Sequence, residues 1–312
     1  MSDWKLDNYK FVGRAFDYAY DQRMKKMRSI ITESDTNSDT YILEGLGGYG
    51  EYQPYDGTNL NMSAQRRGFA TVISPEQFNM TVDIHRKQAK NDLLGETRKV
   101  GQRLGYGGAM SVYMKIIRTL GGAFNGMAGG DGKTWAATDH PVASKGGTGT
   151  TFEADPEAGT YSNLITKSFS VDAITGAQSL ANRYVTPDGL PFLCNMDLCL
   201  VSPELEGKAK QFFGENAKLT PERLPGSSNN SANPVADMSY MVIGGGDAGF
   251  MGEQWAVCDR TLLKEIFCVV YNNRPEVLQA ELDNPLIDRY VGYIDFAVGW
   301  GDARPIVFSN NN

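Results

Sequence analysis

Three short stretches carry residue types that do chemistry elsewhere. Gly132-Lys133-Thr134 matches the end of a phosphate-binding loop, G-x-x-x-x-G-K-[ST], which works only between a strand and a helix. Here Met127 stands where the first glycine belongs, the stretch follows a helical pattern, and Pro141 limits any helix after it. Gly244, Gly246 and Gly249 match the dinucleotide pattern G-x-G-x-x-G behind the strand-like YMVI. The residues after them, FMGEQWAVCDR, have strand character, so the helix that would hold a pyrophosphate is missing. Asp139-His140 could serve as an acid/base pair. Adjacent side chains seldom face each other, however, and Pro141 pushes His140 to extended backbone. No G-x-S-x-G elbow supplies a nucleophile. All three stretches therefore read as turns. His85, beside Arg86 and Lys87, reads as a surface or interface residue. Cys194, Cys199, Cys258 and Cys268 lack zinc-site spacing and read as reduced thiols. The scattered Glu204, Glu206, Glu215 and Glu222 show no acid/base spacing. The expectation is a protein without catalytic residues, cofactor or metal.

The elements that would position these stretches follow from periodicity. Residues 9–31 read as a basic amphipathic helix, with Phe16, Tyr20, Met24, Met27 and Ile31 at steps of three or four. Residues 41–84 read as strands and loops, with a Tyr- and Gly-rich run turning near Asp56-Gly57. Phe78, Met80, Val82 and Ile84 alternate as one face of a strand. This excursion has too few apolar residues for a core of its own and must pack on something else. Residues 92–122 read as one long helix. Its glycines each cost about 1 kcal/mol relative to Ala, so a bend or break is expected near Gly105–Gly108. Residues 123–163 are irregular. A helix is expected over 170–184, a buried strand over 198–201, and a helix from Ser202 as cap with Pro203 at its first position. A loop follows over 220–237, then strands near 240–243, 254–257, 267–271, 289–298 and 305–308.

The 312 residues suffice for one large or two ordinary domains. Hydrophobic residues at 41% and charged ones at 21% mark a globular chain. Charge is uneven. Residues 1–120 carry 17 Lys and Arg against 14 Asp and Glu, and residues 121–312 carry 13 against 23. The basic start could face a polyanion through Lys25, Lys26 and Arg28. No signal sequence or membrane-length apolar run is visible, so a soluble protein is expected. No basic-aromatic module or base-reading element suggests sequence-specific nucleic-acid binding.

The ordered set of motifs carries a resemblance. YILEGLGGYGEYQPYDG is followed by RGFATVISPEQFNMTVDIHRKQAKNDLLGE, GYGGAM and DGKTWAATDHPV. Next come LCLVSPELEGKAKQFF, WAVCD and the closing DFAVGWGDARPIVFS. From about Tyr41 to Phe308 this order resembles a tailed-phage major capsid protein, and more narrowly the Mu-like major head subunit family.

The resemblance implies an α+β fold, the phage major capsid fold of the Hong Kong ninety-seven type. It implies an N-terminal arm or helix (1–40) and an extended β-loop (41–84). A peripheral domain would comprise 85–163 and 271–312, with a spine helix over 92–122. An axial domain would cover 164–270, and both C-terminal strands would return to the peripheral sheet. The implied function is a self-assembling icosahedral shell around double-stranded DNA, built in the host cytoplasm. Its implied partners are copies of itself in pentamers and hexamers, a portal, a separate scaffold or decoration protein, and non-specifically held DNA, with no membrane. Inter-subunit contacts are expected from Tyr49, Tyr52, Tyr55, Asp56, Asn59, Arg66 and Arg67. A capsomer-centre loop would use Arg223, Ser227, Asn229 and Asn230, and a spine hinge Gly105, Gly107 and Gly108. One family branch cross-links the extended loop through a lysine. Residues 28–86 contain none, so a non-covalent shell is expected. About 40 residues precede the loop, too few for an ordinary scaffold domain. The scaffold is then a separate protein, or the chain is already processed. Two other readings compete: an encapsulin-like compartment of the same fold, and a soluble enzyme using Asp139 and His140 or the 244–249 loop.

Overall fold

Val12, Phe16, Tyr20 and Met24 recur every fourth residue, which puts them on one face of a helix. In the computed structural model all four are buried on helix α1 (Asp3–Met24). The structure describes residues 3–48, 50–55, 57–58, 60, 68–85, 87, 95–144, 154–214, 233–280 and 286–311. After a 3-10 turn at Met27–Ser29 come strands β1 (Thr32–Asp35), β2 (Tyr41–Glu44), β3 (Ala70–Ile73) and β4 (Glu76–His85). The long helix α2 (Glu96–Gly121) follows. Short strands β5 (His140–Pro141), β6 (Thr160–Tyr161) and β7 (Leu164–Ile165) lead to helix α3 (Val171–Ala181). Next are β8 (Leu198–Val201), helix α4 (Glu206–Phe212), β9 (Ser239–Val242), β10 (Trp255–Cys258) and helix α5 (Arg260–Ile266). The chain closes with β11 (Phe267–Ala280), β12 (Ile287–Trp300) and β13 (Ile306–Ser309). Among the described residues no helix is long and apolar enough to cross a membrane.

Two compact units divide the chain. The first comprises Met1–Tyr41, Ile73–Ile116 and Cys268–Val298, and the second Ile42–Val72, Ile117–Phe267 and Gly299–Asn312.

The first unit is built on a four-stranded sheet in the order β1-β11-β12-β4. β1 runs parallel to β11, and β4 pairs antiparallel with β12 from Ile287↔His85 to Phe296↔Glu76. The alternation expected on β4 holds in part. Ile84 is buried, Phe78 and Val82 are half-buried, and Met80 is exposed. Val12 and Phe16 of α1 cluster with Val100 and Leu104 of α2, and with Ile84, Val277 and Tyr290 of the sheet.

The break expected near Gly105–Gly108 does not occur, because α2 is continuous from Glu96 to Gly121. Packing accounts for the difference. A Cβ at Gly101 would lie 2.5 Å from the Val12 carbonyl oxygen, and one at Gly105 would lie 2.3 Å from that of Phe16. The glycines admit the backbone of α1, and the contact so gained offsets their poor helix propensity.

The second unit carries a five-stranded sheet in the order β7-β13-β10-β8-β9. β10 is antiparallel to both β13 and β8, while β7 and β9 run parallel to their neighbours. Against it Ile174, Ala177 and Ala181 of α3 cluster with Phe169, Trp255, Val257 and Val307. Ser170 caps α3, its Oγ accepting from the Ala173 amide at 3.2 Å. Ser202 does not cap in the expected way. Its hydroxyl donates to the Gly252 carbonyl at 2.6 Å, and a 3-10 turn at Pro203–Leu205 precedes α4. The C-terminal strands also part company: β12 lies in the first sheet and β13 in the second. All four residues of β13 are buried, as an internal strand covered on both faces requires. β2 and β3 form a separate two-stranded ladder.

Gly105→Ala is expected to destabilise the first unit by about 1–3 kcal/mol through overpacking. Gly13→Ala, where an added Cβ meets nothing within 4 Å, is expected to stabilise it by about 0.5–1 kcal/mol. Denaturant unfolding followed by circular dichroism measures both, and a neutral Gly105→Ala would refute the close-approach account.

Candidate functional site

The Gly132-Lys133-Thr134 stretch is a tight turn. Gly132 has φ +75°, its amide donates to the Gly129 carbonyl at 3.0 Å, and the Gly129 amide donates to the Lys133 carbonyl at 2.8 Å. The Lys133 amide donates to Asp131 Oδ1 at 3.1 Å. The amides of Gly129, Gly132 and Lys133 are thus turned onto the loop itself and that of Gly130 onto Thr71, and among the described residues no helix follows directly.

Asp139 and His140 point to different partners. The Asp139 carboxylate pairs with Lys133 Nζ at the surface, and that hydrogen bond holds its carboxyl below the usual range. His140 is fully buried. Its Nδ1 lies 2.6 Å from Asp131 Oδ2 and its Nε2 3.2 Å from the Trp135 carbonyl oxygen, with the ring stacked on Tyr161 at 5.3 Å. Both ring nitrogens face acceptors, so the ring is consumed in holding two segments together. Asn163 ties the same region. Its Nδ2 donates to the carbonyls of Trp135 (2.7 Å), Ala303 (3.1 Å) and Ile306 (3.3 Å), and its Oδ1 accepts from the Ala137 amide (3.0 Å). Trp135 stacks on Trp300 at 5.4 Å. These contacts make a structural knot of His140, Asn163, Trp135 and Trp300.

The 244–249 loop holds no cofactor cradle either. A 3-10 turn at Gly246–Ala248 stands where a helix is needed, and the Phe250 amide returns to the Ile243 carbonyl at 3.2 Å. A Cβ at Gly121 would meet the Ala248 carbonyl oxygen at 2.2 Å, so the loop lies against the end of α2. The thiols are inert. Burial raises all four, Cys194 to about 11.

Among the described residues the second unit leaves several large apolar side chains exposed, Leu193 at 87% among them, and three fall in one segment. Tyr52 is 102% exposed, Tyr55 63% and Leu60 86%. The other contact residues expected there, Tyr49, Asp56, Asn59, Arg66 and Arg67, lie outside the described residues, as do Arg223, Ser227, Asn229 and Asn230. Gly105, Gly107 and Gly108 fall within continuous α2. Lys25 and Lys26 are exposed, and the Arg28 guanidinium pairs with Asp21 (2.9 Å) and Glu33 (3.1 Å).

The root of the exposed segment is the part that sequence reasoning missed. Asp302 Oδ2 accepts from the Leu46 amide at 3.0 Å. The buried Arg304 donates through NH2 to Asp302 Oδ2 at 2.6 Å and also to the Leu46 carbonyl. Its guanidinium lies 4.8 Å over the Phe192 ring. The Gly50 amide donates to Asp188 Oδ2 at 3.2 Å, and the Gly45 amide to the Phe69 carbonyl at 2.8 Å. The only sequence signal for this set was a pair of acid-containing turns, TPDG and GDAR.

His140→Ala is expected to cost about 3 kcal/mol, because it leaves a cavity where the fully buried ring stood and removes the partner of Asp131 Oδ2. Asp139→Ala is expected to leave the thermal midpoint unchanged, since its ion pair is open to solvent. Thermal unfolding of the two variants side by side is the check; equal effects would argue that Asp139 and His140 act as one pair.

The comparisons bear on the molecule as a whole. The family model for the Mu-like prophage major head subunit gpT matches residues 8–174. No curated protein matches the sequence. Among solved structures, the procapsid protein of bacteriophage JBD30 is 14% identical, with the match covering 100% of this chain and 77% of that one at a TM-score of 0.53. A virus-like particle from Pyrococcus furiosus is 8% identical, covering 97% and 99% at 0.53. The mature capsid of bacteriophage PhiM1 is 12% identical, covering 91% and 86% at 0.52. At such identities these structures speak to the fold alone, and the fold they share with this chain is the α+β capsid fold of the Hong Kong ninety-seven type. The family model spans more than half of the chain, and the candidate catalytic residues are all otherwise engaged. This chain belongs to the Mu-like prophage major head subunits, structural proteins of the phage head and not enzymes.

Proposed function

We propose that this head subunit closes, with copies of itself in pentamers and hexamers, into an icosahedral shell around double-stranded DNA. The observation that carries the reading is the run of exposed apolar side chains at Tyr52, Tyr55 and Leu60. Fully burying one such side chain is worth about 1.5–3 kcal/mol. Exposed on a single subunit, the run is a liability; against a neighbour it is a contact. Repeated over every copy, modest contacts hold a closed shell by multivalency. In this reading the first unit supplies the peripheral domain with the spine helix, and the second unit supplies the axial domain and the loop. Lys25 and Lys26 give weak, non-specific contact with packaged DNA. A portal and a separate scaffold or decoration protein complete the partners, and assembly takes place in the host cytoplasm. Family membership favours the phage head over an encapsulin-like compartment, since the shared fold alone does not separate them.

Purified particles are expected in the megadalton range with nuclease-protected double-stranded DNA inside. Boiling in SDS should release a single band at 34.2 kDa, because residues 28–86 offer no lysine for a cross-link. A small oligomer with a ligand cleft, or cargo protein in place of DNA, would count against the reading. A ladder of covalent multimers would count against the non-covalent shell.

The spine glycines give a second test. A Cβ at Gly107 meets Met80 Cε at 2.7 Å and Sδ at 3.3 Å, the far end of a flexible side chain, and one at Gly108 meets Tyr20 Cδ2 at 3.7 Å. Gly107→Ala with Gly108→Ala is therefore expected to fold normally while slowing any change of shell form that needs α2 to flex. Expansion at the unaltered rate, followed by light scattering, would remove the hinge role.

A further inference from the structure

The run Gly45-Leu46-Gly47-Gly48-Tyr49-Gly50 carries four glycines in six residues. By composition it is a swivel, since glycine retains the widest backbone freedom. The structure fastens it instead. Both backbone groups of Leu46 are taken, the amide by Asp302 Oδ2 at 3.0 Å and the carbonyl by the Arg304 guanidinium. Four residues later the Gly50 amide is taken by Asp188 Oδ2 at 3.2 Å. Glycine is what permits these approaches. A Cβ at Gly45 would lie 2.8 Å from the Gly301 carbonyl oxygen, and one at Gly48 would lie 1.8 Å from Asp188 Oδ2. Two residues beyond Gly50, Tyr52 is wholly exposed.

We infer that Asp302, Arg304 and Asp188 are positioning residues that fix the direction of the chain beyond Gly50, where Tyr52 and Tyr55 lie, and that shell assembly depends on them. The inference rests on the assembly reading above. Arg304 is 3% exposed and Asp302 8%, so neither can supply an inter-subunit contact of its own. Their effect on assembly passes through Leu46. Arg304 suits this work because its planar fork binds one carboxylate and two carbonyls at once: it also donates through NH1 to the Val185 carbonyl at 3.3 Å. The energetic logic is preorganisation. A segment free to swivel loses conformational entropy each time it docks, and a segment already held in direction does not. The loss would recur at every copy in the shell.

The test compares the full-length wild-type chain with Arg304→Met, Gly48→Ala and Leu263→Ala. Leu263 is a buried residue of α5 that takes no part in the root, and its truncation destabilises the same unit by opening a cavity. For each chain, particle yield by sedimentation is set against the thermal midpoint. Arg304→Met and Gly48→Ala are each expected to lower particle yield about tenfold, because a weakened contact is multiplied over many sites. Leu263→Ala, with an equal or larger fall in midpoint, should assemble within about twofold of wild type. Gly48→Ala carries the decision if Arg304→Met does not fold, since the atoms nearest an added Cβ there are those of the Asp188 carboxylate, which it would displace. The inference is overturned if Gly48→Ala assembles at wild-type yield, or if yield tracks the midpoint alike in all three variants. If the wild-type chain itself forms no particles, the assembly reading fails first, and the result is distinguishable from failure of the root alone.

Discussion

The insertion of β13 into the middle of the five-stranded sheet is the constraint on which the second unit depends. The strand lies between β7 and β10, so residues near position 307 complete a core whose other strands begin near position 164. The connection into it cannot wander. Asn163 holds the carbonyls of Ala303 and Ile306, and Trp300 is stacked on Trp135. Between those points the chain has little choice about where Asp302 and Arg304 go. The buried ion pair is thus a consequence of strand order. Once there, its charges need partners at every polar atom, because an unpaired buried charge costs several kcal/mol. The backbone of Leu46 supplies them.

A head subunit's partner is another copy of itself, and that sets a demand an enzyme does not face. The folded chain must be stable alone yet keep part of its surface unsatisfied. Here the two requirements are separated along the sequence. The clusters around α3 and around the α1–α2 contact are closed by their own unit. The large apolar side chains left exposed include Tyr52, Tyr55, Leu60 and Leu193. Scattered apolar atoms on a surface are ordinary; in the proposed shell Tyr52, Tyr55 and Leu60 are the ones covered by another copy.

What the sequence made legible was local. The stripe through Phe16, Tyr20 and Met24 predicted α1 because helical spacing needs no knowledge of the rest of the chain. The helix over 170–184 and the buried run Leu198–Val201 were readable for the same reason, and so was the rejection of the phosphate loop at Met127. What stayed hidden was non-local. The Gly101 and Gly105 contacts with α1 span almost ninety residues, so the same glycines looked like weak points in a helix. Ser202 looked like a cap because its carbonyl acceptor, Gly252, is fifty residues away. Asp302 and Arg304 sit in a segment that reads as a turn, and nothing in GDAR announces a partner at Leu46. The placement of β13 was missed because two strands joined by a short turn usually pair with each other.

Self-association brings its own hazard, and the sheet edges are built against it. An edge strand offers unpaired amides and carbonyls to any other chain. In the second unit one edge, β7, has only two residues, and the other, β9, has four. In the first unit β1 is four residues long and reads Thr-Glu-Ser-Asp, charged enough to resist pairing with a copy of itself. The opposite edge, β4, is ten residues long and so the more exposed to pairing. It carries Glu76 and Asp83, held by Lys115 at 2.9 Å and Arg289 at 2.7 Å. Those charged side chains disfavour a second strand alongside. Strand addition has no natural end, since each added copy presents a new edge. Blunted edges therefore work against open-ended growth.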